Sequence, residues 1–84
     1  MNSNEDNEKG PIVRVGMERR KWGKFLTIIT GLESKNPTID INDIIRRLRI
    51  RLRTNVISTN DQIEIEGNHI FKTKEFLKDE GFDL

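Results

Sequence analysis

The sequence predicts an α+β two-layer sandwich of the α/β-plait type, with element order β-β-α-β-β-α and both helices on one face of a single sheet. Three observations carry this. Four short segments alternate apolar and polar residues or are rich in β-branched residues, the mark of strands with one buried face. Two segments place apolar residues at helical spacing, each following a pair of strands. The chain has 84 residues, enough for one core and not for two, so both helices must share one side of the sheet.

Residues 1–11 lack apolar residues between Met1 and the Gly10-Pro11 pair and carry Glu5, Asp6 and Glu8. They are expected to form a disordered acidic tail ahead of a single domain, 12–84. Residues 12–19 alternate, with Val13, Val15 and Met17 on the inward side. Residues 25–32, FLTIITGL, form a second strand. The segment between them is short enough only for a turn, and Gly23 can supply the positive φ that a tight antiparallel hairpin needs. Residues 33–39 are a loop, because Pro37 biases its predecessor away from helix.

Asp40 is a helix N-cap, and Asp43 suits the positive end of the helix dipole. The helix over 40–53 buries Ile41, Ile44, Ile45, Leu48 and Leu52 and leaves Ile50 among arginines. LRIRLR also fits a strand by period alone, but the cap and the upstream spacing favour helix. A short strand at 55–58, a turn at STND and a strand at 62–66 with Ile63 and Ile65 inward come next. A second helix over 72–80 is expected, capped by Thr73. It directs Phe76 and Leu77 inward, stops at Gly81 and lets Phe82 pack back.

Composition excludes several classes. There is no cysteine, hence no disulfide framework, thiol nucleophile or cysteine zinc site, which suits a reducing, cytoplasmic compartment. The N-terminal residues resemble neither a signal nor a transit peptide, and no apolar run approaches the roughly 20 residues of a membrane span. His69, the one histidine, has no ligand or nucleophile company in the sequence and reads as structural. Glu64 and Glu66 alternate outward on one strand as a solvated face. We therefore expect no enzyme, no metal and no cofactor.

Charge is the positive signal. Residues 14–53 carry eleven Lys or Arg against four acids, and residues 54–84 carry three against seven. This segregation points to a basic face that contacts a polyanion. Arg19, Arg20, Lys21 and Lys24 crowd the hairpin tip, where a rigid turn can hold cations toward phosphates at small ordering cost. Trp22 either stacks on an unpaired base or folds back over the sheet end. Arg46, Arg47, Arg49, Arg51 and Arg53 repel one another at helical spacing. Arginine suits bidentate phosphate contact; the alternative is pairing with the acidic C-terminal third. These ten residues are the candidate RNA-binding set. The competing function is a protein-interaction module that docks a partner by strand addition, or an RNA-binding domain of general use.

The blocks RRKWGKFLTIITGL, the arginine-rich helix, IEIEGNH and KEFLKDEGF, in that order, resemble translation initiation factor 1 of the eukaryotic and archaeal kind. The similarity covers about residues 12–82, and the short chain leads us to expect an archaeal member. The resemblance implies binding to small-subunit ribosomal RNA near the peptidyl site as a monomer, with initiator tRNA and mRNA nearby and other initiation factors as possible partners. It implies a part in accurate start-codon selection. Carried over, the hairpin role falls on Arg19, Arg20, Lys21 and Lys24, and the helix role on the outward arginines. Two departures stand out. TNVISTND lacks the family's Gly-Gly pair and following lysine, leaving Asn55 to supply an unusual backbone angle. Glu66 and Asn68 stand where the family usually has Gln and Asp.

Overall fold

The computed structural model describes residues 13–32, 40–60 and 62–84; the expected tail and the loop over 33–39 lie outside them. The elements are β1 (Arg14–Arg19), β2 (Phe25–Thr30), α1 (Ile41–Leu52), β3 (Val56–Thr59), β4 (Gln62–Glu66) and α2 (Ile70–Asp79). This is the predicted β-β-α-β-β-α order. The strands form one antiparallel sheet in the order β1-β2-β4-β3.

Register explains which residues are buried. Val15 faces Ile29, Ile29 faces Ile63, and Ile65 faces both Thr27 and Val56. Directly opposed residues share a sheet face, so these side chains make one apolar surface. Ile44, Ile45, Leu48 and Leu52 of α1 and Phe76 and Leu77 of α2 pack on it, with Val15, Ile41 and Phe82 at the margin. The other face presents Leu26, Ile28, Ile57, Glu64 and Glu66, and among the described residues no helix packs on it. Met17 lies on edge strand β1 opposite the buried Thr27 and is exposed although its alternation matches Val13 and Val15.

The helix ends follow their chemistry. Asp40 caps α1 by accepting from the Asp43 N–H, as expected. α1 closes at Arg53, whose left-handed backbone (φ 57°) lets its N–H reach the Arg49 carbonyl. The unusual angle expected of Asn55 thus belongs to Arg53. At the end of α2, Gly81 takes φ 97° and Phe82 donates to the Leu77 carbonyl, folding Phe82 back as expected.

The start of α2 differs from expectation. It begins at Ile70, with His69 in the cap position and no side-chain capping bond. Thr73 lies inside the helix, fully buried, and its hydroxyl has no hydrogen-bond partner. The sequence argument preferred the residue with the better capping side chain, whereas the backbone is fixed one turn earlier by a contact from β2, described below. A buried unpaired hydroxyl costs about 1–3 kcal/mol. Thr73→Val is therefore expected to stabilise the fold by about 1 kcal/mol, read as a raised urea midpoint.

Candidate nucleic-acid interface

The hairpin tip is built by two consecutive residues with positive φ, Trp22 (65°) and Gly23 (72°). That pair sits at the centre of a tight turn from Lys21 to Lys24, inside the five-residue connection 20–24 that the β1–β2 register leaves between the strands, and its left-handed backbone suits their twist. Arg20 N–H donates to the Lys24 carbonyl at 2.7 Å, and Lys24 N–H donates to the Lys21 carbonyl at 3.3 Å. Gly23 adopts its angle freely, but a bulky residue there is strained. The consequence for Trp22 is an indole turned out of the protein, 93% exposed. Of the two placements open to it, the structure has the exposed one.

The basic side chains at the tip divide into two groups. Arg19 lies over the Phe25 ring, 5.9 Å from its centroid. Arg20 bridges Glu18 (2.8 Å) and Glu64 (3.3 Å), and its ordinarily high pKa is raised further, first by the Glu18 hydrogen bond. The side chains of Lys21 and Lys24 make no hydrogen bond or ion pair among the described residues. They flank Trp22 as free cations on a stiff turn.

The arginines of α1 divide likewise. Arg47 forms a bidentate pair with Glu80 (2.6 and 2.7 Å) and reaches Asp43 at 3.1 Å. Arg51 meets Asp79 at 3.3 Å, and Arg47 and Arg51 both lie over the Phe76 ring. Arg46 pairs with Asp43, which holds that carboxyl below its ordinary value, with Arg47 adding to the effect. Arg49 turns inward and donates twice to the Val56 carbonyl (3.0 and 2.8 Å). Val56 is on edge strand β3, so Arg49 covers a polar group that an incoming strand would use. Arg53 has no side-chain partner among the described residues. Pairing with the acidic C-terminal segment, weighed above as the alternative, describes Arg47 and Arg51 as they stand. These exposed pairs are weak and leave N–H groups free for phosphate.

The sheet brings the tip and the end of α1 together. Gly67 N–H donates to the Phe25 carbonyl at 2.8 Å, and Glu66 N–H donates to the Asn55 carbonyl at 3.0 Å. The base of the hairpin, the β4–α2 connection and the residues after α1 therefore share one end of the molecule. Lys21, Trp22, Lys24 and Arg53 belong to that end, while Arg46, Arg47 and Arg51 lie along the outer face of α1.

Sequence reasoning missed the brace behind this end. Thr27, fully buried in β2, donates its hydroxyl to the Gly67 carbonyl and accepts from the His69 N–H, both at 2.8 Å. Gly67 takes φ 97°, and a Cβ there would lie 2.9 Å from His69 Nε2. The Gly67-Asn68-His69 connection is thus fixed by a buried hydroxyl, a glycine and an imidazole stacked against it. His69 thus gives its N–H to Thr27 and packs its imidazole against Gly67. Among the described residues, no group of three or more His, Cys, Asp or Glu could hold a metal ion, and no helix is long and apolar enough to cross a membrane.

The comparisons agree with this architecture. Residues 9–83 match the family model described as translation initiation factor SUI1. A protein translation factor SUI1 homolog from Thermococcus kodakarensis is 36% identical over 70 residues, covering 83% of this chain and 69% of the relative. Homologs of the same name from Hyperthermus butylicus (32% identical, 84% and 67% covered) and Pyrococcus abyssi (34%, 83% and 69%) are similar at comparable length. The relatives are archaeal, as expected of the chain itself. With the fold, the order of its motifs and these relatives in agreement, the chain belongs to the SUI1 family of translation initiation factors.

Proposed function

We propose that this chain binds the small ribosomal subunit near the peptidyl site and promotes accurate start-codon selection by initiator tRNA. In this reading the hairpin tip (Arg19, Arg20, Lys21, Trp22 and Lys24) and the arginines of α1 meet ribosomal RNA, with mRNA and initiator tRNA close to the tip. The protein acts in the cytoplasm as an RNA-binding monomer and catalyses no reaction. The observation that carries the reading is a pair of lysines, without side-chain partners among the described residues, flanking an outward indole on a turn whose backbone is already in place. Such a surface contacts a polyanion without first being ordered.

The test is co-sedimentation with small subunits across a salt series. About six phosphate contacts give a log–log slope of about −4 to −5. The RNA footprint of the wild type should shrink when Arg19, Arg20 and Lys21 are all changed to Ala. Binding that ignores salt, or no binding to small subunits, would overturn the proposal.

Glu80 supplies a prediction of opposite sign. It occupies both arms of Arg47, so Glu80→Gln leaves those arms without an anion and Asp43 as the remaining acidic partner of Arg47 among the described residues. At about 0.1 M salt one added phosphate contact is worth up to about 5- to 8-fold in affinity. Folding stability should change by no more than about 1 kcal/mol, because the pair is a surface one. Parallel sedimentation and urea titrations check both halves.

A further inference from the structure

An open recess of about 550 Å³ lies between the hairpin tip and the sheet face opposite α1 and α2, lined by Lys21, Trp22, Lys24, Leu26, Glu64 and Glu66, with Arg20. Its volume is within the roughly 300–1,000 Å³ of small-ligand sites. The two carboxylates are not equivalent. One oxygen of Glu64 accepts from both Arg20 (3.3 Å) and Gln62 (3.1 Å), so this charge is compensated and the side chain held. Glu66, exposed on the same face, takes a single long bond from Asn55 at 3.4 Å. Among the described residues it keeps free acceptor lone pairs, in a recess that also holds an exposed indole and two ammonium groups without partners.

That inventory is specific. Cations alone would serve a phosphate, and a carboxylate beside them would oppose it by like-charge repulsion. A carboxylate accepts only, so it is useful there to a ligand that presents N–H groups between an aromatic face and phosphates. An unpaired nucleotide has all three parts. Bases splayed from RNA are held by stacking on aromatic side chains and by hydrogen bonds to their Watson–Crick edges, and acidic side chains accept from exocyclic amines such as cytosine N4.

We propose that the recess takes one unpaired RNA base bearing an exocyclic amine, selected over uracil. Trp22 stacks on the base, Glu66 accepts from the amine, and Lys21 and Lys24 hold the flanking phosphates. Glu64, fixed by Arg20 and Gln62, positions the floor. Uracil presents two carbonyl oxygens beside its one N–H, and these meet the Glu66 carboxylate unfavourably. This selectivity rests on the reading of the tip as an RNA contact and adds to it a choice of base.

The chain supplies its own probe, since Trp22 is the one tryptophan and there is no tyrosine. Its fluorescence is titrated with single-stranded C-, A- and U-homopolymers about six nucleotides long. Quenching is expected with each, with C and A bound about 5- to 10-fold more tightly than U. That preference should fall below about 2-fold in Glu66→Gln. Trp22→Asn, followed by polarisation of labelled oligonucleotide, should lose about 5- to 150-fold in affinity for all three, with an unchanged far-ultraviolet dichroism spectrum. Absence of quenching, equal binding of C and U by the wild type, or an unchanged preference in Glu66→Gln overturns the site. Small-subunit sedimentation separates this from the proposed function. Salt-dependent subunit binding without base preference refutes the recess alone; base preference without subunit binding refutes the initiation reading alone.

Discussion

Replacing Lys21 and Lys24 together by alanine is expected to weaken small-subunit binding about 25- to 60-fold at about 0.1 M salt and to flatten the log–log salt slope by about 1.4–1.8. The magnitude follows from counterion release. Each phosphate neutralised by a cation contributes about 0.7 (single strand) to 0.9 (duplex) to the slope. At a tenfold dilution from molar salt this is the same number of decades in affinity. Lys21 and Lys24 have no partner within the described residues, so no internal ion pair offsets their loss. Folding stability should be unchanged within about 0.5 kcal/mol, as for other surface substitutions.

The same change at Arg20 would be harder to interpret. Its guanidinium ties β1 to β4 through Glu18 and Glu64, so removing it alters the sheet face as well as the proposed RNA contact. The lysine pair isolates the electrostatic question. Sedimentation of wild type and double variant over the same salt series measures it. An affinity loss below about threefold with an unchanged slope would remove the tip from the interface.

How much of this was legible in the sequence depends on whether a feature is local. Alternation over 12–19 and 62–66, the cap at Asp40 and the glycine stop at Gly81 are local signals, and each element they predicted is present. The hairpin and its four cations were legible too, but the outward placement of Trp22 was not, because folding back over the sheet end was equally open to it. The partners of the α1 arginines were not. Arg47 with Glu80 and Arg51 with Asp79 are distant in sequence, and no spacing rule selects them from the other acids of the C-terminal third. Arg49 reads as one more outward cation until the path of β3 brings the Val56 carbonyl beneath it. Thr73 misled for a related reason. Its capping propensity is real, but a tertiary contact one turn earlier fixes the helix start.

That contact is the brace at Thr27, and its removal is expected to have the largest effect on stability. A threonine within FLTIIT reads as an ordinary β-branched strand residue, with nothing to mark its hydroxyl as shared between Gly67 and His69. Thr27→Val preserves shape and deletes the oxygen. The Gly67 carbonyl and the His69 N–H then lose their partner in a site where the residue itself has no exposure, at about 1–3 kcal/mol each. The incoming methyl must also sit where the oxygen stood, 2.8 Å from both groups, closer than the roughly 3.5 Å of ordinary carbon contact. The expected loss is about 2–5 kcal/mol, against a total near 4–13 kcal/mol for a domain of this size. Thr27→Ser keeps both hydrogen bonds and removes one methyl, for a loss of about 1 kcal/mol. Urea unfolding of the two variants, followed by far-ultraviolet dichroism, separates hydroxyl from methyl. A valine variant no less stable than the serine one would show that the connection into α2 is held by packing alone. The predicted order, wild type above serine above valine, would show that a hydroxyl in β2 sets where α2 begins and anchors the base of the β1–β2 hairpin.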